Sequence, residues 1–217
     1  MEKKLYVYMM RSRNKDNKDI IDFKERSKNI LVYAGDELFV EDLYKRFVAE
    51  GKPNEKARLY RSVNARDEDK IRDNLIARLA VEHYPVSKIN NLVNSVSQDK
   101  SVAIERAWLF DFDCNDYGVL KDFINDIIAY SDADNIKTVK KTPNGYAVVC
   151  YHGFEHANDL IQGYAYQNID ITLMRDDMLF MDIRTTEEPT KSFDTYVDKE
   201  AIINERTPDI DTDYYRD

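Results

Sequence analysis

The stretch AWLFDFD, residues 107–113, is a continuous apolar and aromatic run that only its two aspartates interrupt. A run of this length and composition is typical of a central β-strand. Successive side chains of a strand point to opposite faces, so Asp111 and Asp113 are expected on one face. Phe110 and Phe112 then lie on the other face. The sequence therefore predicts two carboxylates side by side at the end of a buried strand.

The residues that follow this strand predict two helices and two hairpins. Apolar residues recur along one face of residues 117–130, as in an amphipathic helix. The later elements are strands at 136–141 and 146–151, a helix at 154–163, and a last hairpin with strands at 169–173 and 178–183. We expect Asn144-Gly145 to make the first hairpin turn, because Asn-Gly supplies the positive φ angles of a tight reversal.

Written in order, these elements form the β-α-β-β-α-β-β series of split βαβ sheets, which is the ferredoxin-like or RNA-recognition type. The sequence thus predicts an α+β protein with an RRM-like palm at residues 101–188. In that topology the first and third strands are neighbours at the centre of the sheet. Asp111 and Asp113 would then lie beside the turn TPNG, residues 142–145.

The first half of the chain predicts a separate α/β subdomain, residues 1–100, packed on this palm. Its strands are expected at 4–10, 30–33 and 57–63. One helix is expected to start at Gly35-Asp36, a second to follow RDED, residues 66–69, and a third to cover residues 86–96. The helix after RDED should bury Ile71, Leu75, Ile76, Leu79 and Ala80. The polar linker SQDKS, residues 97–101, is the predicted boundary, and residues 189–217 are expected to be an acidic, partly disordered tail.

Composition excludes several classes of protein. The chain of 217 residues is 43% hydrophobic and 12% aromatic, enough for a buried core. Its formal charge of −9 argues against a protein that mainly coats nucleic acid. Cys114 and Cys150 do not make a disulfide framework and fit a reducing compartment. The apolar run near the N-terminus is too short for a signal or a membrane span, so we expect a cytoplasmic protein without membrane contact.

Two adjacent carboxylates repel each other, and a divalent cation between them removes that repulsion. A metal site at Asp111 and Asp113 is therefore one interpretation. The alternative is that the strand ends at Asp111 and that DCND, residues 113–116, is a solvated loop whose aspartate caps the helix at Tyr117.

The strand WLFDFD, the helix after it and the hairpin KTPNGYAVV resemble the metal-binding and nucleotide-binding motifs of the archaeo-eukaryotic primase superfamily, especially small primase-polymerase-like proteins of phages. The resemblance covers chiefly residues 106–184, and ARLYRSVNARDEDKI, residues 57–71, resembles the arginine-bearing strand and helix before that core. It implies metal-assisted nucleotidyl transfer, as in DNA replication, with Mg²⁺ or Mn²⁺ as cofactor. A phage-encoded protein would act in the host cytoplasm.

The resemblance also implies roles for single residues. Asp111 and Asp113 would be the catalytic, metal-binding pair, and a later strand would supply a third carboxylate, with Asp182 the first choice and Asp177 the second. The residues that would approach the nucleotide phosphates are Lys141, Thr142, Asn144 and Gly145. The implied partners are a nucleoside triphosphate, a DNA or RNA end, or both.

The sequence departs from the family pattern after the turn. The family generally presents a histidine there that contacts the incoming nucleotide, and this chain has Ala147, with His152 five residues later. Two functions stay open: a nucleotidyltransferase, or a catalytically degenerate palm that binds a nucleotide, a nucleic acid or a protein. The strand LFDFD also resembles the nucleophile strand of haloacid dehalogenase phosphohydrolases, but that family requires it near the start of a parallel sheet.

Three further groups of residues have both a functional and a structural interpretation. Arg61 could join an anion site with Arg58 or Arg66, but Arg58 and Arg61 are an odd number of positions apart and face opposite sides of a strand, so at most one takes part directly. Arg11 and Arg13 are further candidates, and all these arginines could equally be surface residues paired with the DED cluster. The turn TPNG could be purely structural. The residues Cys114, Cys150, His152 and His156 could bind zinc or be structural.

Overall fold

The structure is a computed structural model that describes residues 4–204. It is an α+β protein with two antiparallel sheets and six α-helices within these residues. The described chain divides into two units, one of residues 4–109 and 174–195 and one of residues 110–173 and 196–204. No helix in the described range is both long enough and apolar enough to span a membrane.

The first unit contains a five-stranded sheet and three helices. Its strands are β1 (Lys4–Ser12), β2 (Arg26–Tyr33), β3 (Lys56–Ser62), β4 (Arg66–Asp67) and β9 (Met178–Thr185). They lie in the order β2-β1-β3-β9, and β4 pairs with β1. The helices are α1 (Glu37–Ala49), α2 (Glu68–Ala80) and α3 (Ile89–Ser97). The strands and helices expected in the first half are therefore confirmed, with ends that differ by a few residues.

Two apolar clusters stabilise this unit, because alternate residues of β1 point to opposite faces. Tyr8 and Met10 pack with residues of α1, whereas Leu5 packs with Ile71 and with residues of α3. The predicted core face of α2 is only partly right. Ile71 is buried, but Ile76 is 57% exposed, because α2 contacts its neighbours along a narrow stripe.

The predicted boundary at residues 97–101 lies inside the first unit. Val102 is fully buried in the cluster with α3. Ile104 donates its backbone N–H to Ala65 at 2.9 Å. Asn64 accepts the backbone N–H of Ala107 at 2.8 Å. These contacts hold the segment up to the start of the next strand to the first unit, so the linker does not separate the two units.

The second unit contains a four-stranded sheet with the order β6-β7-β5-β8. Its strands are β5 (Trp108–Phe112), β6 (Ile136–Thr142), β7 (Gly145–Cys150) and β8 (Ile171–Arg175), and its helices are α4 (Tyr117–Tyr130), α5 (Ala157–Ala165) and α6 (Lys199–Asn204). Phe123 of α4 contacts Phe110, Phe112 and Tyr164, with ring centroids 5.3–5.5 Å apart. This aromatic group joins β5, α4 and α5 in one core.

The first predicted hairpin is confirmed, but the reason given for its turn is wrong. Thr142 pairs with Gly145 across the two-residue turn Pro143-Asn144. Among the described residues, those with positive φ do not include Asn144 or Gly145. Pro143 sets a negative φ at the first turn position, so the reversal is not of the Asn-Gly type.

The second predicted hairpin is wrong. β8 belongs to the sheet of the second unit, where it lies beside β5, and β9 belongs to the sheet of the first unit, where it pairs with β3. The turn residue Asp176 has φ of 62°, and its carboxylate accepts hydrogen bonds from Arg66 at 2.7 Å. This buried pair fixes the point at which the chain leaves one sheet for the other.

The predicted acidic tail is partly ordered. Tyr196 forms a bridge with Lys140 beside β6. α6 packs on α4 and buries Ile202. Residues 205–217, the rest of the predicted tail, lie outside the described residues.

Candidate functional site

The two aspartates of β5 lie where the strand leaves the aromatic core. Phe110 and Phe112 are fully buried against α4, so alternation turns Asp111 toward the other face of the sheet. Asp111 is half-buried, and Asp113, one residue beyond the strand, is exposed. The backbone N–H of Asp113 donates to the carbonyl of Asp170 at 3.0 Å, which holds the strand end against the residue before β8.

The loop after Asp113 is closed by a helix cap. The Asp116 carboxylate accepts the backbone N–H groups of Gly118 at 2.8 Å and Val119 at 3.3 Å at the start of α4. The structural interpretation of this loop is therefore confirmed for Asp116. The helix cap does not involve Asp111 or Asp113.

The turn between β6 and β7 lies directly against the end of β5. A Cβ atom on Gly145 would overlap the carbonyl oxygen of Phe112 and lie 2.7 Å from the backbone nitrogen of Cys114. Tyr146 donates its hydroxyl to the carbonyl of Asn115 at 3.5 Å. Burial, with the nearby Tyr117, Asp116 and Cys114, raises the pKa of Tyr146. The turn and the aspartate pair are thus brought together inside the second unit.

The other predicted nucleotide-contacting residues of this turn differ in exposure. Lys141 is exposed and pairs with Tyr146 across the hairpin. Asn144 is exposed, whereas Thr142 is 8% exposed. A ligand at this turn would therefore meet Lys141 and Asn144 before Thr142.

The residue at which the primase resemblance would predict a histidine is buried. Ala147 is 2% exposed and pairs with Lys140 in β6. His152 lies beyond the end of β7, where the side chain of Asn135 accepts its backbone N–H at 3.1 Å. Since five residues of strand span about 17 Å, His152 lies at the opposite end of β7 from the turn.

The strand length also separates the two cysteines. The backbone of Cys114 lies against Gly145 at the start of β7, and Cys150 is the last residue of that strand. They are therefore about 17 Å apart, whereas Zn–S bonds are about 2.3 Å long. Cys150 is fully buried, and burial raises the pKa of its thiol to about 12. The prediction that Cys114 and Cys150 bind one zinc ion is therefore wrong.

Asp182, the proposed third carboxylate, has several partners in the first unit. It accepts hydrogen bonds from Arg184 Nε at 2.7 Å and from the backbone N–H groups of Ile183 at 2.8 Å and Phe193 at 2.7 Å. The other donors of Arg184 bind Glu41 at 2.9 and 3.0 Å, together with residues of the segment 189–192. Burial would raise the pKa of Glu41, but the hydrogen bonds and positive charges of Arg184 and Lys45 together outweigh it, and the pKa is lowered.

A metal ion at Asp182 would compete with these hydrogen bonds. No group of three or more His, Cys, Asp or Glu side chains in residues 4–204 is arranged to hold a metal. Asp177, the second choice, is exposed, and its carboxylate accepts the N–H of Met178 at 2.7 Å. That Asp182 or Asp177 binds the same metal ion as Asp111 and Asp113 stays a prediction.

A further exposed carboxylate, Asp170, adjoins this strand end and was not predicted from the sequence. Asp170 immediately precedes β8, and its carbonyl receives the N–H of Asp113. The signal that could have revealed it is topological: in the split βαβ order, the last strand lies beside the first in antiparallel sense. The residue before the last strand then adjoins the end of the first.

The arginines of residues 57–71 are not surface residues paired with the DED cluster. Arg66 is 2% exposed and binds Asp176. Arg58 is 9% exposed and binds Asp16. Arg61 is half-buried opposite Tyr8 of β1, with its guanidinium 4.8 Å from the centre of the Tyr6 ring. Arg61 Nε is buried without a hydrogen-bond partner in the described part of the chain.

Comparison of the chain with protein-family models, with curated proteins and with solved structures finds no match.

Proposed function

We propose that this chain is a metal-dependent nucleotide-handling protein of the primase-polymerase type. Asp111 and Asp113 bind Mg²⁺ or Mn²⁺, and the turn 142–145 with Lys141 approaches the nucleotide phosphates. The observation that carries the proposal is the close approach of Gly145 to the backbone of residues 112–114. The turn 142–145, which the exposed Lys141 precedes, therefore lies against the strand end from which Asp111 and Asp113 project, and a metal-bound triphosphate would need both carboxylates and a basic residue.

The order of the elements supports the same proposal. The series β5-α4-β6-β7-α5-β8, with the sheet order β6-β7-β5-β8, is what a split βαβ palm has. In such a palm the strand with the aspartate pair is central and adjoins the strand fed by the turn. Residues 106–184 resemble the primase superfamily in these same segments.

The donor set fits a hard divalent cation. Mg²⁺ and Mn²⁺ take oxygen ligands and usually keep several waters, so two carboxylates on a partly solvated strand end suffice to hold one ion together with substrate phosphates. When bound, such an ion activates an attacking hydroxyl and stabilises leaving pyrophosphate. Asp111 and Asp113 orient it, and Lys141 supplies positive charge to the phosphates.

A second candidate is a palm that binds a nucleotide without transferring it. The observation that favours it is Ala147, which is buried and presents only a methyl group where the family has a histidine. A side chain of that size contributes no hydrogen bond to an incoming nucleotide. Binding through Asp111, Asp113 and Lys141 does not need that residue.

The test is binding of a fluorescent nucleoside triphosphate with and without Mn²⁺. We expect metal-dependent binding by the unmodified chain and at least about a tenfold loss in Asp111→Asn and Asp113→Asn, since one charge-assisted contact contributes about 1.5–3 kcal/mol. Asp159→Asn, which removes an exposed carboxylate of α5, is the matched control and should bind normally.

Primer-extension measurements then separate the two candidates. Incorporation that disappears in Asp111→Asn indicates a nucleotidyltransferase, whereas metal-dependent binding without incorporation indicates the degenerate palm. Binding that is independent of metal, or equal in the aspartate variants and Asp159→Asn, contradicts both.

A further inference from the structure

Three arginines lie together at the end of β1 in the first unit. Arg11 in β1 stands directly opposite Arg58 in β3. Arg13 follows β1 and precedes the 3-10 helix Asn14–Asp16. The carboxylate of Asp16, in that helix, lies between Arg13 and Arg58. We call Arg11, Arg13, Arg58 and Asp16 the arginine cluster.

Two of these arginines share one carboxylate. Arg13 donates Nε and Nη2 to the two oxygens of Asp16 at 2.9 and 3.3 Å, and Arg58 donates the same two atoms at 2.8 and 2.5 Å. The side chains are 23%, 11% and 9% exposed for Arg13, Arg58 and Asp16. Two poorly solvated guanidinium groups therefore have one negative charge between them.

The carboxylate is ionised in this arrangement. Burial would raise the pKa of Asp16, but the hydrogen bonds from Arg13 and Arg58 outweigh it, and the pKa is lowered. The three groups together thus carry a net charge of about +1, since Arg is always protonated.

Arg11 and its partner Glu25 leave this excess at about +1. Like charges directly opposite each other on paired strands destabilise a sheet, and Arg11 faces Arg58. Its partner is Glu25, at 3.4 Å, and Glu25 also accepts the backbone N–H of Asn14. A structural ion pair needs one arginine for each carboxylate. This cluster has three arginines for Asp16 and Glu25, which suits a second anion.

The cluster is held in place before any ligand binds. Asn17 is 4% exposed and donates to Ser12 Oγ at 3.1 Å and to the carbonyl of Lys56 at 3.0 Å, and it accepts the N–H of Lys56. These bonds fix the loop between β1 and β2 to the end of β1 and the start of β3. The bonds to Asp16 use Nε and Nη2 of Arg13 and of Arg58, so Nη1 of each can donate to a further acceptor.

We propose that the arginine cluster binds a phosphate group. Guanidinium forks match the geometry of phosphate oxygens and bind them with two parallel hydrogen bonds. Arg58 also lies 5.9 Å from the centre of the Phe180 ring, and the half-buried Tyr60 packs edge-on against that ring at 6.0 Å. Phe180 is 6% exposed, so of these two rings only Tyr60 is open to a base. An aromatic ring beside a phosphate site suits a single-stranded nucleic acid, whose bases stack on such rings. The proposal is independent of Asp111 and Asp113.

The experiment uses two probes in EDTA, so that no divalent metal takes part. The first is a fluorescein-labelled 12-nucleotide oligothymidylate, measured by anisotropy. The second is inorganic phosphate, measured by calorimetry. The variants are Arg11→Gln and Arg13→Gln. The control is Arg72→Gln, which removes a 58% exposed arginine from α2.

We expect the unmodified chain to bind at least one probe and each cluster variant to bind it about tenfold more weakly, since each loses a charge-assisted contact. For the oligonucleotide, the slope of log affinity against log salt should fall by about 0.7 for each removed arginine. Binding of phosphate alone identifies a small phosphate ligand, and binding of the oligonucleotide identifies a nucleic-acid strand.

Either of two results overturns the proposal: neither probe binds the unmodified chain, or Arg72→Gln weakens binding as much as Arg13→Gln. Arg11 is 42% exposed, so Arg11→Gln should fold normally and keep the test valid if Arg13→Gln is destabilised. Because EDTA removes metal, failure of the site at Asp111 and Asp113 leaves this result unchanged.

Discussion

Replacing Gly145 with alanine tests the close approach on which the candidate site depends. The added Cβ would overlap the carbonyl oxygen of Phe112 and lie 2.7 and 2.9 Å from the backbone nitrogen and oxygen of Cys114. Ordinary contacts between carbon and these atoms are about 3.3–4 Å. All three atoms belong to the backbone, so no side chain can rotate away. β7 must instead move away from β5.

The expected cost is at the upper end of the range for overpacking. Extra atoms in a packed core cost about 1–3 kcal/mol when side chains and backbone can adjust. Here a central strand must shift, so we expect Gly145→Ala to lower the free energy of unfolding by about 3 kcal/mol. With a urea m-value of about 2 kcal/mol/M, the unfolding midpoint should fall by about 1.5 M.

Gly163→Ala is the matched control. Gly163 lies in α5, and a Cβ there would meet no atom within 4 Å. Alanine in a helix is favoured over glycine by about 0.5–1 kcal/mol, so this variant should be slightly more stable than the unmodified chain. Urea unfolding followed by circular dichroism measures both. If Gly145→Ala unfolds at the same midpoint as Gly163→Ala, the turn does not lie against β5 as described.

Three other predictions concern stability. Arg184→Met should lower the free energy of unfolding by about 3–5 kcal/mol, because it leaves the buried carboxylate of Asp182 without its cation. The exposed Arg72→Met should change it by less than about 0.5 kcal/mol; urea midpoints give both. Because the pKa of Glu41 is lowered in the folded state, this group stabilises the fold above about pH 4.5, and the contribution is lost as the pH falls through the folded-state pKa. The decline in urea midpoint between pH 7 and pH 3 should therefore be shallower in Glu41→Gln than in the unmodified chain. Equal declines would contradict this. Asp116→Ala should cost about 1 kcal/mol through loss of the α4 cap, and Asp113→Ala, with no cap to lose, should cost less in the same measurement.

Local sequence patterns predicted the structure of a segment correctly where that structure depends on the segment's own residues. The helix expected at 117–130 is observed as Tyr117–Tyr130, because its apolar residues recur with the helical period and Asp116 caps it. The hairpin of β6 and β7 was predicted for the same kind of reason, since two apolar strands flank a short turn. The burial of Phe110 and Phe112 and the partial exposure of Asp111 followed from alternation along β5, whereas Asp113 lies one residue beyond the strand.

The local sequence did not predict the geometry of the turn between β6 and β7, because Pro143 and the nearby backbone of β5 decide it. Asn144-Gly145 alone indicated positive φ angles. Gly145 is instead required because Phe112 and Cys114 lie too close for a side chain. A contact with a segment more than 30 residues away leaves no local signature in the turn.

Local periodicity and composition predicted most of the elements and the positions of the charged side chains along them. Which charges meet depends on the tertiary fold: Arg58 binds Asp16 across 42 residues, and Arg184 binds Glu41 across 143. The tertiary fold also moved β9 from its expected hairpin with β8 to a pairing with β3. The physical reason is that strand pairing and ion pairing depend on which distant segments the core brings together, whereas local periodicity records only which face of a segment is buried.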